Sequence, residues 1–199
     1  MDAVSSRDFL RWATSNGIGP DPRYPESGCL SLLPPRDHAR FWAVPGDPAA
    51  WPHFSDCVLD GLDAWSGVFL WPRSGAWPVA RSGGSLNERV REVVLRGAGV
   101  PPGWRGALRF AELEADTVVA VLFAYLAFGW CTDDDLFLIP DHGQQLVQAD
   151  HHGVVHVECG SEPRAVEFVA HMAAERYALP TDPPDWTFKR PAWMDAAPG

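Results

Sequence analysis

The chain has 199 residues, 46% of them hydrophobic and 12% aromatic, which is enough for one domain with a sizeable core. Its 16 Lys and Arg residues against 26 Asp and Glu residues give a formal net charge of −10, which repels nucleic-acid phosphates and anionic membrane surfaces alike. This charge also suits a basic protein partner, although many soluble enzymes are simply acidic. The 10 Trp, 19 Pro and 18 Gly residues predict a loop-rich fold braced by indole rings.

The cysteines and the apolar stretches indicate where the protein resides. The four cysteines are widely spaced and form no CxxC pair, and Asp2 and Arg7 interrupt any signal-like apolar run at the N-terminus. The longest apolar stretch, residues 118–131, is too short to cross a bilayer. We therefore expect a cytoplasmic protein with reduced thiols and no membrane association. No sequence motif points to a cofactor, and none is expected.

The N-terminal region, residues 1–45, is predicted to be rich in loops. Ser5 or Ser6 can cap a short first helix. Residues 18–40 hold five prolines and little periodicity, which is typical of a long loop laid over the body of the protein. A brief strand is predicted at residues 40–44.

Three further helices are predicted between residues 46 and 130. The first covers residues 52–62, and the second begins at a capping box formed by Ser85 and Glu88. The third, residues 116–128, is apolar on all sides and is expected to be the central buried helix. The apolar positions of the second helix, which we expect to be buried, are Leu86, Val90, Val93 and Val94.

The strands form the clearest pattern. Residues 67–71 form a continuous apolar run typical of a buried strand, and residues 106–112 alternate like an edge strand. Three short strands, 136–140, 144–149 and 154–158, are separated by short links rich in Asp and Gly that favour hairpins. The predicted fold is therefore a single α+β domain with an antiparallel C-terminal three-stranded meander, amphipathic helices packed on it and a buried apolar helix.

A final helix is predicted from residue 161 to about residue 177, followed by a Pro-rich tail, residues 179–199. The tail carries Trp186, Phe188 and Trp193, which favour an extended arm pinned to the domain. The helix positions expected to face inward are Val166, Val169, Ala170, Ala173 and Tyr177.

One cluster of residues could bind a metal ion. Asp150, His151 and His152 form a turn and His156 follows in the next strand, and imidazole and carboxylate groups are common ligands of divalent metals. His152 and His156 lie about 13 Å apart on an extended strand, too far for one ion. His142 belongs to the turn at the opposite end of the strands. We therefore interpret these residues mainly as turn formers, with His152 and His156 on a contact surface and a metal or acid–base site as the alternative.

An acidic run follows the apolar helix. Asp133, Asp134 and Asp135 lie just beyond its C-terminal end, where negative charge is unfavourable unless another group compensates it. A basic ligand or a cation is one interpretation of this run. A solvated acidic loop that ends the helix is the other.

A Trp-rich segment could form a binding groove. It runs from Trp65 through Trp71 to Trp77 with Arg73 at its rim, and Trp and Arg are typical anchors of binding surfaces. The same indole rings could instead pack over the core, since Trp is mostly buried in proteins. Both interpretations remain open from the sequence.

No catalytic signature is present. GxSxG, GxGxxG and GxxxxGK[ST] patterns are all absent. The best-placed thiol, Cys159, has Glu158 beside it and no nearby cation to stabilise its thiolate, which favours a structural role. The sequence therefore gives no positive indication of an enzyme.

Three hypotheses for function follow. The order of three meander strands and a helix over about residues 131–177 is similar in outline to SUKH-type bacterial immunity proteins, which bind and neutralise toxins; this resemblance implies a binding role and carries over no site residue. The leading hypothesis is an acidic, immunity-like or adaptor-like module that binds a basic protein. The alternatives are a small metal-assisted hydrolase using residues 150–156, and a structural subunit whose aromatic tail docks on a neighbour.

Overall fold

The computed structural model describes residues 1–34, 39–79, 84–131 and 134–181. The tail aromatics Trp186, Phe188 and Trp193 lie outside these ranges, as does Asp133. The helices are α1 (Ser6–Ser15), α2 (Trp51–Asp60), α3 (Leu86–Gly97), α4 (Ala115–Phe128) and α5 (Glu162–Ala174). The strands are β1 (Asp2–Ser5), β2 (Ile18–Pro20), β3 (Leu30–Leu32), β4 (Ala39–Ala43), β5 (Gly67–Pro72), β6 (Gly106–Ala111), β7 (Leu136–Pro140), β8 (Gln145–Asp150) and β9 (Val154–Cys159).

One antiparallel sheet of seven strands, in the order β1-β6-β5-β7-β8-β9-β4, organises the fold, and β2 and β3 form a separate two-stranded sheet. The predicted α+β class and the predicted C-terminal meander are confirmed, since β7, β8 and β9 are consecutive antiparallel neighbours. The prediction that residues 106–112 form an edge strand is wrong. β1 pairs with β6 on its outer side, with Val4 opposite Ala107, so β6 lies inside the sheet.

Each face of the sheet has its own core, because successive side chains of a strand point to opposite faces. Val155 and Val157 belong to the main core, which also takes residues from α2, α3, α4 and α5. Phe69 and Trp71 of β5 belong to the second core, which α1 and the β2–β3 hairpin cover. The N-terminal region is thus more regular than predicted, because β1 and β4 pair with distant strands and β2 pairs with β3.

Helix α4 is the centre of the main core, as its apolar sequence predicts. Val118, Val121 and Leu122 are fully buried, and the helix packs between α2 and α3. Among the residues that the structure describes, no helix is long and apolar enough to cross a membrane.

Helix α3 is rotated relative to the predicted amphipathic stripe. Leu86 is 66% exposed and Val93 is 69% exposed, whereas Arg91 and Leu95 are buried. The guanidinium of Arg91 lies 5.8 Å from the ring centroid of Tyr125, and its charge also acts on Asp134. Packing against α4 therefore selects Arg91 and Leu95 over the valines. At the other positions of this helix, Val90 is exposed, Val94 is partly buried and Glu92 is buried.

Helix α5 ends earlier than predicted, and its buried face matches the prediction only in part, since Val169 and Tyr177 pack against the main core. Its buried residues are Ala165, Phe168 and Met172, spaced as one face of a helix, whereas Val166 is exposed. Arg176 has a left-handed backbone with φ of 71°, and the Tyr177 N–H donates to the Met172 carbonyl at 2.8 Å. This left-handed residue closes the helix and turns the chain toward α2. Ala170 and Ala173, which the sequence predicts to face inward, are also exposed.

Candidate functional site

A cavity of about 460 Å³ lies on the second face of the sheet, over β8, β9 and β4. The second core covers the β5–β7 side of this face, so the strands beyond β7 are left to line a pocket. Alternation along the strands directs Gln148, His156, Glu158 and Phe41 to the floor of the pocket. The segment between β2 and β3, which carries Asp21, forms part of the wall.

Asp135 is the most buried polar group at this cavity, with no exposed surface. Its carboxylate accepts hydrogen bonds from Gln148 Nε2 at 2.8 Å, from the His151 backbone N–H at 3.1 Å and from Arg73 Nη1 at 3.2 Å. Burial by itself would raise the pKa of Asp135, but the hydrogen bond from His151 and the charge of Arg73 outweigh burial and lower it. Asp135 is therefore an ionised acceptor inside the protein.

His151 is oriented by this buried carboxylate. Its Nδ1 lies 2.6 Å from Asp135 Oδ1, and because an ionised carboxylate can only accept, Nδ1 carries the proton. The hydrogen bond to Asp135 raises the pKa of His151 despite partial burial. The second ring nitrogen, Nε2, remains as the acceptor of a neutral imidazole, which is the form that binds metals or protons.

A second Asp–His pair lies beside the first. Asp150 Oδ1 accepts from the His152 backbone N–H at 2.6 Å and lies 2.7 Å from His152 Nδ1, and the His151 and His152 ring centroids are 4.0 Å apart. Gly153, with φ of 79°, completes the turn. These residues thus form a turn, as the sequence predicts. In addition, Asp150, His151 and His152 each offer one ligand atom within 4.8 Å of the others, a spacing that a divalent metal can bridge.

His156 has a different environment from the one expected. It was predicted to lie on an exposed face with His152, but burial lowers its pKa to about 4, so it is neutral at physiological pH. Its ring packs edge-on against Phe41, with the centroids 4.7 Å apart. His156 lines the cavity together with His152 but is not part of the metal-compatible group found among the described residues.

The predicted aromatic groove is not formed. Trp71 lies in the second core, stacked on Phe9 with ring centroids 4.6 Å apart, whereas Trp77 lies in the main core on the other face of the sheet. Both indoles are buried, because the chain turns after β5 and sends them to opposite faces. Only Arg73, in the turn between them, reaches the cavity.

The acidic run divides between two roles. Asp134 accepts from the Ser74 backbone N–H at 3.1 Å and from Ser74 Oγ at 3.2 Å, so it holds the turn after β5. Burial raises the pKa of Asp134, in contrast to Asp135. Of these two aspartates, only Asp135 lines the cavity.

Sequence reasoning missed the N-terminal half of the cavity. Arg23 donates to both carboxylate oxygens of Asp21 and to Glu158 Oε1 at 3.1 Å. The other Glu158 oxygen accepts from Ser31 Oγ and from the Leu32 backbone N–H, each at 2.8 Å. The three contacts to Glu158 join residues more than a hundred positions apart, so no local pattern could signal them.

The hairpin at the opposite end of the strands is a separate structural feature. Asp141 Oδ2 accepts from Ser66 Oγ at 2.7 Å and from Arg109 Nη2 at 2.9 Å, and His142 Nδ1 accepts from the Gln144 backbone N–H. The expectation that His142 and His152 cannot share an ion is confirmed by the register of β7, β8 and β9.

Thiol chemistry is disfavoured at two of the cysteines. Burial is the largest cause that raises the pKa of Cys57 and of Cys159, each to about 11. Both thiols are therefore protonated at neutral pH and are poor nucleophiles.

The groups in the cavity are the basis for inferring function. The chain matches no known protein family, and no curated protein or solved structure is significantly similar to it. Two oriented histidines, a buried carboxylate and two arginines beside one pocket can bind a metal ion, transfer protons and hold a polar ligand.

Proposed function

We propose that the protein is a metal-assisted hydrolase whose site is the cavity over β8 and β9. The observation that supports this most is the pair of Asp–His contacts, Asp135 with His151 and Asp150 with His152, that meet beside a pocket of about 460 Å³. A pocket of this volume is in the range used for small molecules. A divalent metal held by Asp150, His151 and His152 would activate water and polarise the bond to be cleaved.

The surrounding residues have supporting roles in this proposal. Asp135 fixes the tautomer and ring orientation of His151, as carboxylates commonly do for metal-bound histidines. Arg73 and Arg23 border the pocket and already pair with Asp135 and Asp21, so they orient a polar substrate without adding a large positive charge. The net charge of −10 favours a small substrate over a polyanion.

The test is metal analysis and hydrolysis by untagged protein. We expect stoichiometric bound metal, a rise in melting temperature on adding Zn²⁺ or Mn²⁺, and EDTA-sensitive cleavage of p-nitrophenyl acetate or p-nitrophenyl phosphate. The double variant His151→Ala/His152→Ala should lose one equivalent of metal and the activity. His142→Ala, in the opposite hairpin, is the matched control and should retain both. Metal content and ester cleavage that are the same in the wild type and in His151→Ala/His152→Ala would overturn the proposal.

A second function, binding of a basic protein partner, is favoured by a separate groove. This groove, of about 320 Å³, lies between the end of α2 and the start of α4 and is lined by Trp65, Asp60 and Glu112. A half-buried indole beside two carboxylates suits an arginine or lysine side chain, through cation–π attraction and ion pairing. An immunity-like or adaptor-like role would use this groove to hold a basic segment of its partner.

An arginine-rich peptide tests this second function by calorimetry. We expect binding that weakens with added salt and that falls about tenfold in Trp65→Ala and in Asp60→Asn/Glu112→Gln, because each variant removes one component of the groove. Glu167→Gln changes an exposed carboxylate on α5 and serves as the control. Equal binding by all four proteins would show attraction to net charge alone and would exclude the groove.

A further inference from the structure

A second group of metal-binding side chains lies on the opposite side of the sheet from the cavity. His53 and Cys57 belong to α2, which packs on the main core, and Glu175 caps the end of α5. Each offers one ligand atom within 4.8 Å of the others. We propose that these three residues form a zinc site that joins α2 to the end of α5, independent of the proposed hydrolase site.

The three ligand atoms lie close enough together to reach one ion. His53 Nε2 lies 3.6 Å from Cys57 Sγ and 3.5 Å from Glu175 Oε2. Tetrahedral zinc with Zn–S bonds of about 2.3 Å and Zn–N and Zn–O bonds of about 2.1 Å separates N from S by about 3.6 Å and N from O by about 3.4 Å. These two distances fall in the zinc range, but His53 Nδ1 also lies 3.7 Å from Cys57 Sγ, so the sulfur lies beside the imidazole ring and must move toward the Nε2 side for both atoms to bind one ion.

Local structure explains why these groups meet. Positions 53 and 57 are four residues apart and share one face of α2. The left-handed turn at Arg176 brings Glu175 and Tyr177 toward that face, and the Tyr177 hydroxyl lies 2.9 Å from His53 Nδ1. Tyr177 therefore orients the ring so that Nε2 remains for the ion, as outer partners of metal-bound histidines do.

The donor types and the surrounding charge favour zinc over harder ions. A sulfur, an imidazole nitrogen and one carboxylate suit Zn²⁺, whereas Mg²⁺ and Ca²⁺ prefer oxygen ligands only. Asp56 and Asp60 add negative charge that attracts a cation, but burial and this same charge raise the pKa of the Cys57 thiol, so a zinc ion must displace the thiol proton when it binds. The side chains of His53 and Glu175 are 56% and 45% exposed, so water can reach the fourth position.

Cobalt provides a direct probe of this site, because Co²⁺ replaces Zn²⁺ and gives a charge-transfer absorption band when a thiolate binds it. Full-length protein stripped of metal with EDTA should develop this band with stoichiometric Co²⁺, and Zn²⁺ should abolish it. Cys57→Ser should abolish the band, and His53→Ala and Glu175→Gln should weaken Co²⁺ binding at least tenfold. Since His53 and Glu175 are half exposed, these two variants are expected to fold even if Cys57→Ser does not.

The controls separate this site from the cavity. Glu167→Gln, which changes another exposed carboxylate of α5, should leave the band unchanged. His151→Ala/His152→Ala should also retain it, because the cavity group contains no thiolate. Absence of the band in the wild-type protein, or its persistence in Cys57→Ser, would overturn the zinc site while leaving the hydrolase proposal to its own test.

Discussion

Replacing Asp135 by Ala is expected to lower the free energy of unfolding by about 3–5 kcal/mol, the usual cost of removing one partner of a buried ion pair. Asp135 has no exposed surface and accepts from Arg73, Gln148 and His151, so its loss leaves three donors without their acceptor. Urea denaturation of the metal-free protein measures the change. Glu167→Gln, at an exposed position beyond the first turn of α5, is the control and should change stability by less than about 0.5 kcal/mol.

The ion pair between Asp135 and His151 predicts how the free energy of unfolding depends on pH. The lowered pKa of Asp135 contributes stability that is present above its ordinary value of 3.8 and is lost as the pH falls through the folded value. The raised pKa of His151 contributes stability that is complete below 6.5 and is lost as the pH rises through the folded value. The difference in stability between wild type and Asp135→Asn should therefore be largest between these two pH values, in EDTA. A difference that does not vary with pH would contradict the ion pair.

Replacing Trp77 by Ala is expected to cost about 3–5 kcal/mol, the range for deleting a buried aromatic side chain. The indole is 1% exposed, packs edge-on against Tyr125 and donates from Nε1 to the Gly106 carbonyl at 3.0 Å. The substitution leaves a large cavity in the main core and an unsatisfied carbonyl.

Trp65→Ala is the matched comparison for Trp77→Ala, because Trp65 is only half buried. Its cost should be about 1 kcal/mol, the typical value for a single substitution. Thermal and urea unfolding of the two variants distinguish an indole in the core from one that lines a groove. A Trp77→Ala protein as stable as Trp65→Ala would mean that Trp77 does not brace the core.

The sequence by itself determined the local elements. The capping box of Ser85 and Glu88 places the start of α3, and the short links rich in Asp and Gly separate β7, β8 and β9 as predicted. The composition of α4 predicts its burial. These features depend on neighbours within a few residues, so periodicity and turn chemistry are sufficient to find them.

Tertiary structure alone decided which faces are buried and how the cavity is assembled. Arg91 is buried at the expense of Val93 because α3 meets Tyr125 of α4, a contact that the helix sequence does not encode. The cavity forms because β9 pairs with β4 and because Glu158 of β9 accepts a hydrogen bond from β3. Its walls therefore come from both ends of the chain. The sequence could identify Asp150, His151 and His152 as a cluster in one turn. Only the folded sheet could place Asp135 behind His151 and enclose the pocket, because their partners are set by strand register and not by spacing along the chain.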